Sequence, residues 1–142
     1  NLHVQWDETG KTLPWFLKVY EIDKKQKGYD GPSVPFMRMA GSIFAETNNL
    51  LIGRAMLDGA CVGSILVLCH GSGATYQLGW ASPQGRAANA HHFLLWNALG
   101  VLQQKGIKDF DLGGVNDAGA EGVKKFKEGL GGNSARLSGL YT

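Results

Sequence analysis

The 142 residues predict an α/β domain built on a mixed, mostly antiparallel sheet flanked by helices. Three observations predict it. Short apolar segments, alternating or continuous and bounded by Gly, Asn and Asp, mark strands. Longer segments repeat their apolar residues at helical spacing and end at glycine. The segments follow the order β-α-α-β-β-β-α-β-α-β. Three consecutive hairpin strands pair antiparallel, and the helix after them implies a right-handed crossover to a parallel neighbour. Such a parallel pair can splay and leave backbone groups for a ligand.

Each element carries its own signal. Leu2 to Trp6 alternates, as a strand does. Thr9-Gly10 and Pro14 mark a helix entry, and Trp15, Phe16, Val19, Tyr20 and Ile22 supply an apolar face. Tyr29 to Pro35 is a loop. Pro35 to about Glu46 predicts a second helix with Phe36, Met39, Ala40, Ile43 and Phe44 inward. Leu50–Leu57 and Ala60–His70 are strands joined by Asp58-Gly59, a strong hairpin signal. Gly71-Ser72-Gly73 turns into a strand over Ala74–Ala81. Asn89 to Lys105 is a long helix stopped by Gly106. Asp109–Leu112 is a short strand, Glu121–Leu130 the last helix and Ala135–Tyr141 the last strand.

Composition sets limits. Residues 1–142 read as a single domain, long enough for a real core. Net charge is +2, so no broad basic field announces nucleic acid. The longest apolar run, Ile65–Cys69, is too short to span a membrane. No signal-peptide pattern and no metal-ligand spacing is visible. Cys61 and Cys69 fall by alternation on one face of one strand, too far apart to bridge. They read as buried thiols of a reducing, cytoplasmic setting.

Four groups of residues between Ala74 and Gly132 carry chemistry. The first is Tyr76 with Gly79, Ala81 and Ser82. The second is Ser82 with Arg86. The third is Asp111-Leu112-Gly113-Gly114. The fourth is Phe126-Lys127-Glu128-Gly129-Leu130-Gly131-Gly132. Together they resemble the Fem-type (FemAB-like) aminoacyltransferases of peptidoglycan bridge synthesis and their relatives in the GNAT acyltransferase superfamily. In that family the fourth group resembles Phe-Lys-x-Gly-Phe-Gly-Gly, with Leu130 here in place of the second Phe. The resemblance covers roughly Leu13 to Leu140. It implies a GNAT-like domain, whose fold has the element order read above.

The resemblance also implies a function. The chain would be an acyltransferase moving an aminoacyl group from aminoacyl-tRNA to the amine of a small peptide or amino-acid-like acceptor. The alternative is the commoner chemistry of the superfamily, an acyl-CoA-dependent N-acyltransferase. A third reading is a non-catalytic binding half of a larger Fem-type enzyme. Each donor, the tRNA acceptor end or acyl-CoA, is a substrate rather than a resident cofactor.

The donor-binding candidates are Gln84, Gly85, Arg86, Ala88 and Asn89. They lie between a strand and a helix N-terminus, where small residues let backbone N–H groups approach a phosphate. The nearest match to the GNAT pyrophosphate loop, Gln84 to Asn89, lacks the glycine at its fourth position. Arg86 can clamp a phosphate or carboxylate bidentately; it would equally serve as a solvated loop arginine. The catalytic candidates are Lys127, Asp111 and Phe126. Lys127 would stabilise a developing oxyanion or a donor phosphate, and the Phe-Lys pair inherits an active-site position from the resemblance. Asp111 would accept a proton from the attacking amine or cap the glycine turn after it. Tyr76, Trp80 and His91 are the acceptor-binding candidates. Tyr76 and Trp80 share a face by alternation, with Leu78 between them. His91 opens the long helix, where protonation is disfavoured.

Overall fold

The computed structural model describes residues 1–112 and 134–136. The elements, in chain order, are β1 (His3–Asp7), α1 (Leu13–Lys27), α2 (Val34–Glu46), β2 (Leu50–Leu57), β3 (Ala60–His70), β4 (Gly73–Ala81), α3 (Pro83–Ala87), α4 (Ala90–Gln104), β5 (Asp109–Asp111) and β6 (Ser134–Arg136). Among the described residues the strands form one sheet in sequence order. Every neighbouring pair is antiparallel except β4–β5, which is parallel. The predicted helix at Glu121–Leu130 lies outside the described residues, as does most of the predicted last strand.

Local chemistry explains the boundaries. Asp7 accepts hydrogen bonds from the backbone N–H and hydroxyl of both Thr9 and Thr12. These fix the turn into α1, whose own N-cap, Thr12, makes no side-chain cap. Lys24, Lys25 and Lys27 fill the last turn of α1, where cations complement the helix dipole. In α2, the Ser33 hydroxyl accepts from the Phe36 N–H, an ordinary N-cap. Asp58 and Gly59 both take positive φ, 51° and 83°, as a two-residue hairpin turn of matching twist requires.

The sheet separates two cores. On one face α1 and α2 set Phe16, Leu17, Tyr20 and Met37 against Ile52, Leu66 and Leu78. On the other, α4 sets Leu94, Leu95, Ala98 and Leu99 against Leu51, Val67 and Phe110. Each fully buried side chain of this size contributes about 1.5–3 kcal/mol. Three expectations for α2 change. Phe36, Met39 and Ile43 are exposed rather than inward, because Met37 and Gly41 set the buried face of that helix.

Two bulges break the alternation assumed from sequence. In β4, Leu66 pairs with Leu78 but Val67 pairs with Tyr76, so Gln77 is the extra residue. An extra residue reverses the faces of everything beyond it. In β3, Ala55 pairs with Gly63 but Met56 with Cys61, so Val62 is extra. Alternation therefore does not carry from Cys69 to Cys61. Cys69 is buried in the α4-side core, whereas Cys61 is only half-buried. Both thiols are free. No described helix is long and apolar enough to cross a membrane.

Candidate functional site

The site is built where β4 ends. The described β4–β5 ladder pairs Gly73 with Asp109, Ala74 with Phe110 and Thr75 with Asp111. Strand β4 then continues from Tyr76 to Ala81, beyond the described length of β5. The predicted parallel pair is therefore present, whereas the residues that follow Leu112, on which the expected splay depends, lie outside the described residues.

The chain leaves β4 through a tight anchor. Both the N–H and the hydroxyl of Ser82 bond the Val62 carbonyl, at 3.0 and 3.3 Å. The same hydroxyl accepts from the Gly85 N–H at 3.1 Å. Sequence reading makes Ser82–Asn89 an open loop, but Pro83–Ala87 is a short helix capped by Ser82. Gly85 is buried, and a Cβ there would collide with the Val62 carbonyl. It packs closely against β3. Gln84, Arg86 and Asn89 are exposed and Ala88 is half-buried. Asn89 enters α4 at φ 55°, and its side chain makes no cap hydrogen bond.

His91, in the first turn of α4, is 4% exposed and meets Tyr76 across β4, with Tyr76 Oη and His91 Nε2 3.1 Å apart. Gly79 makes room for the pair, since a Cβ there would overlap both polar atoms. His91 Nδ1 is buried with no hydrogen-bond partner. Burial, helped by the Arg86 charge, pushes the imidazole down to about 4. The ring is therefore neutral at physiological pH.

The acceptor candidates do not line one groove. Because of the Gln77 bulge, Tyr76 belongs to the α4-side core and Leu78 to the α1–α2 side. Trp80 packs edge-on to Trp15 of α1, with centroids 6.0 Å apart. Tyr76 and His91 are thus a buried pair on one face, and Trp80 stands alone on the other. Asp111 lies between the buried Phe110 and Leu112 and is exposed. Since those two belong to the α4-side core, alternation turns Asp111 to the α1–α2 face, the side of Trp80. Lys127 and Phe126 lie outside the described residues, as do Gly113, Gly114 and the Gly129–Gly132 turn.

Sequence reading passed over one group on that face. Gln5, Arg54, Ser64 and Trp80 are successive partners across β1, β2, β3 and β4. Trp15 sits over this row, with the Arg54 guanidinium 5.7 Å from its ring centroid. Arg54 is the one charged residue in the strand LLIGRAML, and a charge inside an apolar strand was the available signal. No described group of His, Cys, Asp and Glu is arranged to hold a metal.

Comparison with known proteins follows this geometry. Residues 1–128 match the family described as the acetyltransferase (GNAT) domain. Among solved structures, the chain resembles the PaiA N-acetyltransferase of Thermoplasma acidophilum in complex with coenzyme A. That match has TM-score 0.61 and 16% identity over 87% of this chain and 88% of that one. It also resembles the ribosomal-protein-S18-alanine N-acetyltransferase of Escherichia coli, with TM-score 0.61 and 12% identity over 89% and 76%. The match to FemX has TM-score 0.68 and 12% identity, and covers 82% of this chain but 45% of FemX. Comparison with curated proteins returns no match.

Proposed function

The chain belongs to the acetyltransferase (GNAT) domain family, and from that premise we propose that residues 1–142 act as a single domain transferring an acyl group from acyl-CoA to the amine of a small peptide or amino-acid-like acceptor. The observation that carries this reading is the end of β4. Among the described residues the parallel partner is shared up to Thr75–Asp111, and the next turn leads into α4 with no side-chain cap on its N-terminus. An uncapped helix end attracts phosphate, and exposed Arg86 adds a cation beside it. Donor phosphates then bind on the α4 side of the sheet and the acyl end passes between the splayed strands. The amine arrives from the α1–α2 side, where Trp80 and Asp111 lie.

In this reaction the amine nitrogen bonds to the thioester carbonyl carbon and the C–S bond breaks. Asp111 takes the proton the amine loses, and the CoA thiolate leaves to be reprotonated. Lys127, with Phe126 beside it, stabilises the negative charge on the carbonyl oxygen. The free thiols of Cys61 and Cys69 support a cytoplasmic setting.

A second donor, aminoacyl-tRNA, is favoured by one specific observation. The Phe126–Gly132 segment resembles the Fem-type signature, and FemX is among the structural neighbours. Its ester would react by the same steps, with the tRNA 3′-terminal hydroxyl leaving. The experiment is mass spectrometry of products after incubation with acetyl-CoA or charged tRNA and a panel of amines. Acylated amine with acetyl-CoA alone establishes the first donor, and product only with charged tRNA establishes the second. No product with either leaves a non-catalytic binding module.

A further inference from the structure

We infer that Arg54 is the carboxylate-recognising residue of the acceptor site, and that the acceptor is a peptide of two to three residues with a free C-terminus. The inference rests on the reading that the α1–α2 face beside Trp80 takes the acceptor. It begins with a charge that no described carboxylate compensates. Arg54 is half-buried, and among the described residues no carboxylate pairs with it. One Nη2 N–H donates to Gln5 Oε1 at 2.8 Å, a neutral amide. A guanidinium carries five N–H donors, so four are left without a described protein acceptor.

The surroundings hold the fork in place. The Trp15 ring lies beside the guanidinium, its centroid 5.7 Å away, a cation–π contact that costs little because guanidinium is weakly hydrated. The Ser64 hydroxyl, next in the row, is buried and turned to the Gly53 carbonyl, so it offers Arg54 no competing contact. A planar fork that lies beside an aromatic ring, half-buried and without a described counter-ion, matches a carboxylate bidentately.

The register sets the ligand's length. Arg54 stands on β2 and Trp80 on β4, with β3 between them. Two inter-strand steps make about 10 Å. A peptide spans at most about 3.3–3.6 Å per residue. A carboxylate held at Arg54 therefore brings an N-terminal amine to the edge of β4 when two to three residues lie between. Trp15 and Trp80 then form the apolar wall along which that peptide lies. One amino acid is too short to make both contacts.

The probes are trialanine and its C-terminal amide, titrated by tryptophan fluorescence without donor, then used as acceptors with acetyl-CoA. Trialanine should bind the native chain at least about tenfold more tightly than the amide. Arg54→Met should bind both equally weakly, and Arg54→Lys should keep part of the preference. Gln5→Glu is a second variant on an exposed position. Its carboxylate would occupy the fork and should also erase the preference. Equal binding of acid and amide to the native chain overturns the inference, as does a preference that survives in folded Arg54→Met or Gln5→Glu. Because the titration needs no donor, a missing acyl transfer with intact carboxylate preference would count against the proposed reaction and not against Arg54.

Discussion

Exchanging His91 for glutamine should remove a defined part of the protein's acid sensitivity. The imidazole is buried and neutral, held down to about 4 by burial and then by the Arg86 charge. Its folded value lies below the ordinary 6.5, so between the two values the unfolded chain binds more protons. The stability at stake is fully present above about pH 6.5, erodes as pH falls through that value, and stops eroding near 4. At pH 5.5 the loss relative to pH 8 is about 1.4 kcal/mol, and at pH 4.5 about 2.5 kcal/mol. The pH 5.5 comparison is the cleaner one, because ordinary carboxylates titrate lower. Glutamine retains a group able to bond Tyr76 Oη and has nothing to titrate. Urea unfolding at pH 8 and pH 5.5 should therefore show a change smaller by about 1.4 kcal/mol in His91→Gln than in the native chain. An identical change in both proteins, or a His91 ring titrating near 6.5 by NMR, would refute the reasoning.

Three further outcomes are expected. Gly85→Ala must push α3 off the Val62 carbonyl, and should cost about 2 kcal/mol by denaturant titration; an unchanged midpoint would mean the contact relaxes freely. In Asp7, burial raises the carboxyl but the Thr12 and Thr9 hydrogen bonds outweigh it and hold it at about 2. Asp7→Ala should lose about 1–2 kcal/mol at neutral pH, with the native advantage present above about pH 4 and closing as pH falls towards 2, which unfolding curves across that range would check. Lys127→Met should leave the melting curve near native and lower turnover at least about 50-fold; near-normal turnover in an acyl-transfer assay would remove Lys127 from the chemistry.

The fold was readable because its signals are local. Leu50–Leu57 and Ala60–His70 have the predicted bounds, since Asp58-Gly59 fixes the hairpin that joins them, although the Val62 bulge shifts their register beyond Met56–Cys61. The Ser82–Asn89 segment was readable as a connection but not as a helix. Five residues are too few to show a period, and the interaction that shapes them, Ser82 and Gly85 on the Val62 carbonyl, spans about twenty residues. The site was harder. Tyr76 and Trp80 were correctly singled out as aromatics of one strand, but the Gln77 bulge is a fact of pairing with β3 and leaves no mark on β4 alone. Arg54 was missed for a similar reason. Its neighbours Gln5, Ser64 and Trp80 come from three other strands, and only the register of the sheet assembles them.

The Gln77 bulge also determines what kind of genetic change the domain can absorb. A substitution at position 77 alters one half-buried side chain and leaves the count of residues in β4 intact. Loss of that one codon would do something different. Either Tyr76 leaves His91 or Leu78 and Trp80 leave α1, because a regular strand cannot satisfy both sides of the sheet at once. The strand therefore carries information in its length as well as in its letters. Scanning by replacement would record position 77 as tolerant, whereas a library of single-residue deletions would record it as among the least tolerant in the chain.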